Sequence, residues 1–214
     1  MPLELLQERP GLELERGGPA PPPGTGRDDG RPDGPEGILG DPARFGVLAF
    51  LTTVSMLFVG FTSAYIVRRA GTDWQPLAAP PLLYLSTGLL LASSAALEAA
   101  RHRLRDWNLE GSGRSVAWTG VLGLAFVLAQ LGAWGQLAAR GVFLASNPHS
   151  SFFYLLTGVH VLHVAGGLVW FLVVASRVRR LALSPGENGL GLFAIYWHFL
   201  AGLWLYLLLL LFVL

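Results

Sequence analysis

The sequence predicts an all-α integral membrane protein, a bundle of five transmembrane helices, and three observations carry that expectation. The first is composition: 52% of the 214 residues are hydrophobic and 14% are charged, well below the roughly 25% charge of soluble globular domains. The second is the recurrence of five apolar stretches, at about 45–67, 81–100, 115–138, 152–176 and 192–214, each near the ~20 residues that cross a hydrocarbon core as a helix. The third is punctuation: Pro76, Pro80 and Pro81, then Asn147 and Pro148, then Pro185 and Gly186 fall where the chain has to reverse. Helices are the form these spans require, because an open sheet would leave backbone amides without partners in lipid.

Two regions are expected. Residues 1 to about 43 hold most of the acids, among them Glu4, Glu8, Glu13, Asp28, Asp33 and Asp41, together with the run Pro21 to Pro23. Such a segment buries too little apolar surface to offset chain entropy, so it reads as a disordered tail ahead of a 44–214 membrane domain. No apolar signal core precedes Phe45, so the first span is expected to direct its own insertion.

Arginine placement sets the expected orientation. Arg101, Arg103, Arg105 and Arg114 flank the second connection, and Arg177, Arg179 and Arg180 flank the fourth. The opposite side has only Arg68, Arg69 and Arg140, so the N-terminus is expected in the cytoplasm and the C-terminus in the periplasm. With a net charge of +1, no global field marks the chain for nucleic acid. The absence of cysteine excludes disulfides, thiolate metal sites and iron–sulfur clusters. No repeat of two related halves points to a transporter.

Ionisable side chains at membrane depth are costly and therefore candidates for function. Span four carries His160 and His163, three residues apart and so on one helical face, with Thr157, Gly166 and Gly167 near it; span five adds His198. Imidazole is a usual axial ligand of membrane haem, which gives one reading of these residues. The other is hydrogen bonding between helices or to lipid, and it is preferred because two histidines one turn apart on one helix do not oppose each other across a gap. Glu98 precedes Arg101 and His102 at spacings that favour a boundary salt bridge, with a proton or lipid role as the alternative. Gln130 suits interhelical bonding and Trp134 interface anchoring, while Ser86, Thr87, Ser93 and Ser94 read as a small-residue packing stripe.

From about Arg44 onward the chain resembles cytochrome c oxidase subunit III, in a short bacterial form lacking the first two of that family's seven helices. The strings FLTTVSMLFVGFTSAYIVRR, LSTGLLLASSAALEAA, SFFYLLTGVHVLHVAGGL and YWHFLAGLWLYL carry the likeness. The resemblance implies a multi-pass inner-membrane subunit with no cofactor of its own, haem and copper lying in partner subunits. It implies direct contact with subunit I, a place beside subunit II, bound structural phospholipid, and support of proton uptake and turnover lifetime. Glu98, His160, His163, Tyr196, Trp197 and His198 match family motif positions, with interhelical, lipid or subunit contacts as the implied roles. Three positions depart from the pattern. The family's buried, carbodiimide-reactive acid falls at Val54, an aspartate after YWHF at Ala201, and a glutamate before it at Gly191. The same resemblance admits a subunit III-like partner of a quinol oxidase or nitric oxide reductase. A haem-binding electron carrier using His160, His163 and His198 is the reading it displaces.

Overall fold

The structure, a computed structural model, describes residues 42–179 and 189–213. The expected tail therefore lies outside the described residues, apart from its last two positions, as does Arg180. Five helices make up the described chain: α1 (Pro42–Arg69), α2 (Pro81–Arg105), α3 (Leu109–Ala139), α4 (Pro148–Arg179) and α5 (Gly189–Phe212). All five are long and apolar enough to cross a membrane.

Several helices overrun the apolar stretches that announce them, because hydropathy marks where lipid ends and helix continuation is decided by capping. At the α2 end, Trp107 N–H bonds Leu104 O at 3.2 Å and Asn108 N–H bonds Arg103 O at 2.9 Å. This paired closure requires a left-handed residue, here Trp107 at φ 57°. Asn108 then caps α3 through its side-chain oxygen, which accepts from Gly111 N–H at 2.8 Å. The α2–α3 link is thus a tight hairpin of polar residues that needs no apolar sequence. The same closure ends α3, with Gly141 at φ 76° between the bonds Gly141 N–H to Ala138 O and Val142 N–H to Leu137 O, both 3.0 Å. Pro148 opens α4 behind Asn147, whose side-chain oxygen accepts from Ser150 N–H at 3.0 Å.

α5 is the axis of the bundle. It packs against α1, α2 and α4 and meets α3 through Trp204 and Phe126, while α3 packs on α2 and α4, and among the described helices α1 packs on α4 and α5. The sequence of α5 suits this place, since apolar residues surround it on nearly every side; Phe193, Trp197, Leu200, Trp204, Leu207 and Leu210 are all buried. The α2–α3 pair is the closest. Ser93 Oγ donates to Thr119 O at 2.9 Å and Ser112 Oγ to Ala100 O at 3.0 Å, contacts between a side chain and a neighbouring helix backbone that small residues allow. Glycine does the same work beside large rings. A Cβ at Gly123 would stand 2.8 Å from Trp197 Cζ2, and one at Gly167 would stand 2.7 Å from Tyr196 Cε1.

At the far side from the α2–α3 link, Arg68 Nη1 donates to Asp73 Oδ1 at 2.7 Å. The guanidinium holds the Asp73 carboxyl below the usual carboxylate range. A depressed carboxyl contributes its stability above the ordinary pKa of about 4 and loses it as pH falls through the lower folded value. Both partners are about half exposed, so the effect is confined to the end of α1.

Gly123→Val should lower stability by about 1–3 kcal/mol through overpacking against Trp197. Gly135→Ala, where an added Cβ meets nothing within 4 Å, should leave it unchanged or raise it by up to ~1 kcal/mol. Thermal unfolding of the two variants in one detergent checks the contrast.

Candidate functional site

Polar side chains inside the bundle gather in three places, each built by residues far apart in sequence. The first is a stratum joining α2, α3, α4 and α5. Trp204 Nε1 donates to Thr87 Oγ1 at 3.0 Å, Trp134 Nε1 to Thr157 Oγ1 at 3.2 Å, and Ser86 Oγ lies 3.3 Å from Gln130 Oε1. His160 is fully buried in this layer, its ring stacked on Trp204 at 5.2 Å and edge-on to Phe126 at 6.1 Å. Among the described residues, neither ring nitrogen of His160 nor Nε2 of Gln130 has a hydrogen-bond partner. The imidazole is therefore held as an aromatic plate between α3 and α5.

The second place is the arginine-rich rim where α2 meets α5. His198 Nδ1 meets Ser94 Oγ, and its Nε2 lies 3.5 Å from Glu98 Oε2. The same carboxylate accepts from Arg101 Nη1 at 2.7 Å and has His102 Nε2 3.5 Å from its other oxygen. Glu98 and His198 are each a little under two-fifths exposed, so the cluster stands at the edge of the bundle and not in its core. One turn inward, Ser93 is fully buried; it accepts from Trp197 Nε1 at 3.1 Å while giving its own proton to Thr119 O.

The third place is the α1–α4 contact. His163 is half-buried, with its ring 6.4 Å from Phe50 and 6.0 Å from Phe58. Those two residues flank Val54 by one turn each, so the buried Val54 shares their helical face toward His163. His163 Nδ1 donates to Val159 O at 2.7 Å, within its own helix, and Tyr196 Oη donates to His163 O at 2.7 Å. The sequence places His160 and His163 on one face, and the structure separates them. The offset of about 60° between residues three apart aims His160 at α3 and α5 and His163 at α1.

Trp134, expected as an interface anchor, also bonds across to α4 through Thr157. The serines and threonines of α2 do more than pack, since Ser86, Thr87, Ser93 and Ser94 each meet a polar atom of α3 or α5. The residue that sequence reasoning missed is His149. It is buried, accepts from Leu77 N–H at Nδ1 (2.9 Å), faces Leu211 O through Nε2 (3.0 Å) and stacks on Trp74 at 4.9 Å. It thereby ties the α1–α2 connection to the start of α4 and the end of α5. Its only signal was a histidine directly after a helix-opening proline, beside a connection that contains a tryptophan.

Among the described residues, no group of three histidine, cysteine, aspartate or glutamate side chains converges as a metal site would require. Fold and site together define a multi-pass helical membrane protein whose interior polar groups join helices, with its ionisable cluster at one rim. The family model for cytochrome c oxidase subunit III matches residues 38–214, and the chain belongs to that family. A cytochrome c oxidase subunit 3 of Synechocystis is 31% identical over 181 residues, covering 81% of this chain and 76% of that protein. A cytochrome bo(3) ubiquinol oxidase subunit 3 of Pseudomonas aeruginosa is 28% identical over 169 residues, covering 75% and 79% respectively. Cytochrome c oxidase subunit 3 of Gallus gallus is 28% identical over 176 residues, covering 77% of this chain and 66% of that protein.

Ser93→Ala removes an acceptor and a donor from a fully buried position, and should cost about 1–3 kcal/mol. Ser94→Ala, beside a partly exposed imidazole that water or headgroups can reach, should cost less. Unfolding midpoints of the two variants in detergent provide the comparison.

Proposed function

We propose that this chain is the non-redox subunit III of an aerobic haem-copper oxidase in a bacterial inner membrane, with its N-terminus cytoplasmic and its C-terminus periplasmic. In this reading it holds catalytic subunit I by direct contact, stands beside subunit II, retains structural phospholipid, and sustains proton uptake and turnover lifetime. The observation that carries the reading is the use made of the polar groups. The His160 ring is stacked on Trp204, the His163 ring bonds the Val159 carbonyl of its own helix, and the His198 ring is engaged by Ser94 and Glu98. These engagements favour a structural use of the three imidazoles over haem ligation, and the exposed apolar helix surface suits assembly with a redox-active neighbour. Relatives of both cytochrome c and ubiquinol oxidases support the subunit role without favouring either electron donor.

Removal of the chain with detergent should leave haem content and initial oxygen reduction intact and shorten the enzyme's active life in sustained turnover. Oxygen uptake followed over many turnovers, with haem spectra before and after, is the measurement. Immediate loss of haem or of all initial activity would instead make the chain cofactor-bearing.

Proton uptake through α1 is a separate matter, because this helix contains no acidic residue. Dicyclohexylcarbodiimide should leave α1 unmodified in the native complex, and Val54→Glu should introduce a reactive carboxyl facing His163. Peptide mass spectrometry reads both outcomes, and modification of Glu98 in the native complex would move the proton role to the rim.

A further inference from the structure

Three buried side-chain polar atoms among the described residues have no hydrogen-bond partner: the two ring nitrogens of His160 and Nε2 of Gln130. Both residues are fully buried. They belong to different helices, yet they stand at one level. The bond from Trp134 to Thr157 fixes the antiparallel register of α3 and α4. Gln130 lies four residues back from Trp134 on α3, and His160 three residues on from Thr157 on α4. At 1.5 Å per residue their heights differ by roughly 1.5 Å. The edge contact of Phe126 with His160, one further turn along α3, agrees with that register.

The rest of the layer cannot supply what these groups need. A neutral imidazole donates through one nitrogen and accepts through the other. The indole protons of Trp204 and Trp134 go to Thr87 and Thr157. The hydroxyl protons of Ser86 and Thr87 both go to Leu83 O at 2.8 Å, and that of Thr157 goes to Phe153 O at 2.6 Å. None of these protons is left for the accepting nitrogen of His160. The Gln130 amide is in the same position, since one end stands 3.3 Å from Ser86 Oγ and the other end is left over. Groups of this kind are costly to leave unpaired in a medium of low dielectric.

A ligand that satisfies both residues has to donate and accept at once, carry no net charge at this depth, and fit a layer already filled by Trp204 and Phe126. Twelve residues separate His160 from the start of α4, about 18 Å along the axis, so bulk solvent is out of reach. Water meets all of these conditions, and an internal water makes about three bonds to such groups. With bonds of about 2.8 Å it joins partners that stand too far apart for direct contact.

We infer that the α3–α4 contact binds a structural water molecule between His160 and Gln130, bonded to a ring nitrogen of the first and to the amide end of the second that is turned away from Ser86. Through Ser86 on one side and the stack of His160 on Trp204 on the other, this water links α2, α3, α4 and α5 at one level.

The native complex tests this by X-ray radiolysis, in which hydroxyl radicals arise from bound as well as bulk water and oxidise the side chains beside them. Trp204 and Trp197 are each 1% exposed, and Trp204 is the one stacked on His160. Trp204 should be oxidised several-fold more than Trp197. Gln130→Leu should bring its yield down to that of Trp197. Unfolding midpoints give a second reading: the Gln130→Leu and His160→Phe double variant should fall no further than the worse single variant, because either change removes the site. Equal oxidation of the two tryptophans in the native complex, or additive shifts in midpoint, would overturn the inference. So would a density map of the complex, sharp enough to show ordered water, in which Gln130 bonds His160 directly.

Discussion

Hydrocarbon offers a polar group no solvent, and that single constraint orders most of this structure. Backbone amides are satisfied by helix formation, which fixes five rods. Most buried side-chain polar atoms then find partners on the same rod or on a neighbouring one, with His160 and Nε2 of Gln130 the exceptions among the described residues. Where they reach across, they choose which helices meet. Thr87 with Trp204 joins α2 to α5, Thr157 with Trp134 joins α4 to α3, and Ser93 brings α2, α3 and α5 to one point. Apolar packing fills the space between these bonds but does not discriminate well among neighbours, since lipid tails are as apolar as leucine.

What the sequence made legible follows from the same physics. The number of helices and their approximate centres are written in hydropathy, because an apolar run of that length has few other fates. Their ends are not, because Trp107 and Gly141 close helices by backbone conformation and Asn108 opens one by a single side-chain bond. Glu98 with Arg101 was readable from spacing along one helix. The approach of His198 to both Ser94 and Glu98 was not, because it depends on how α5 is rotated against α2. His149 illustrates the same limit from the other side. It lies at a helix start, where a polar residue needs no explanation, and its partners Leu77 and Leu211 contribute only backbone atoms that no sequence pattern reveals.

The two histidines of α4 show how much a small angular offset decides. A helix turns 100° per residue, so positions three apart are neighbours on a wheel and yet can face different helices. In this bundle the boundary between the α1 and α3–α5 sides of α4 falls between His160 and His163. One imidazole becomes part of an aromatic stack and the other part of a surface contact. The motif that looks like a paired ligand set is thus divided by the packing around it.

The division has a consequence at α1. His163 donates Nδ1–H to the carbonyl of Val159 in its own helix, so that bond asks nothing of the helix facing it, and Val54 can stand opposite. The hydroxyls of α1 behave likewise. Thr52, Thr53 and Ser55 bond the carbonyls of Leu48, Ala49 and Leu51 in their own helix, and Thr62 both bonds Phe58 O and meets Tyr206 Oη at 2.8 Å. Apart from that last contact, α1 offers few polar ties to the rest of the bundle. It is also the least enclosed helix, with 17% of its most apolar stretch buried against 44% for α5. A carboxylate at position 54 would require a partner across the α1–α4 contact and would draw the two helices into a fixed register. Valine removes that requirement, so in this chain the attachment of α1 rests on aromatic packing of Phe50 and Phe58 around His163 and on the stack of Tyr65 with Trp74 and Phe152.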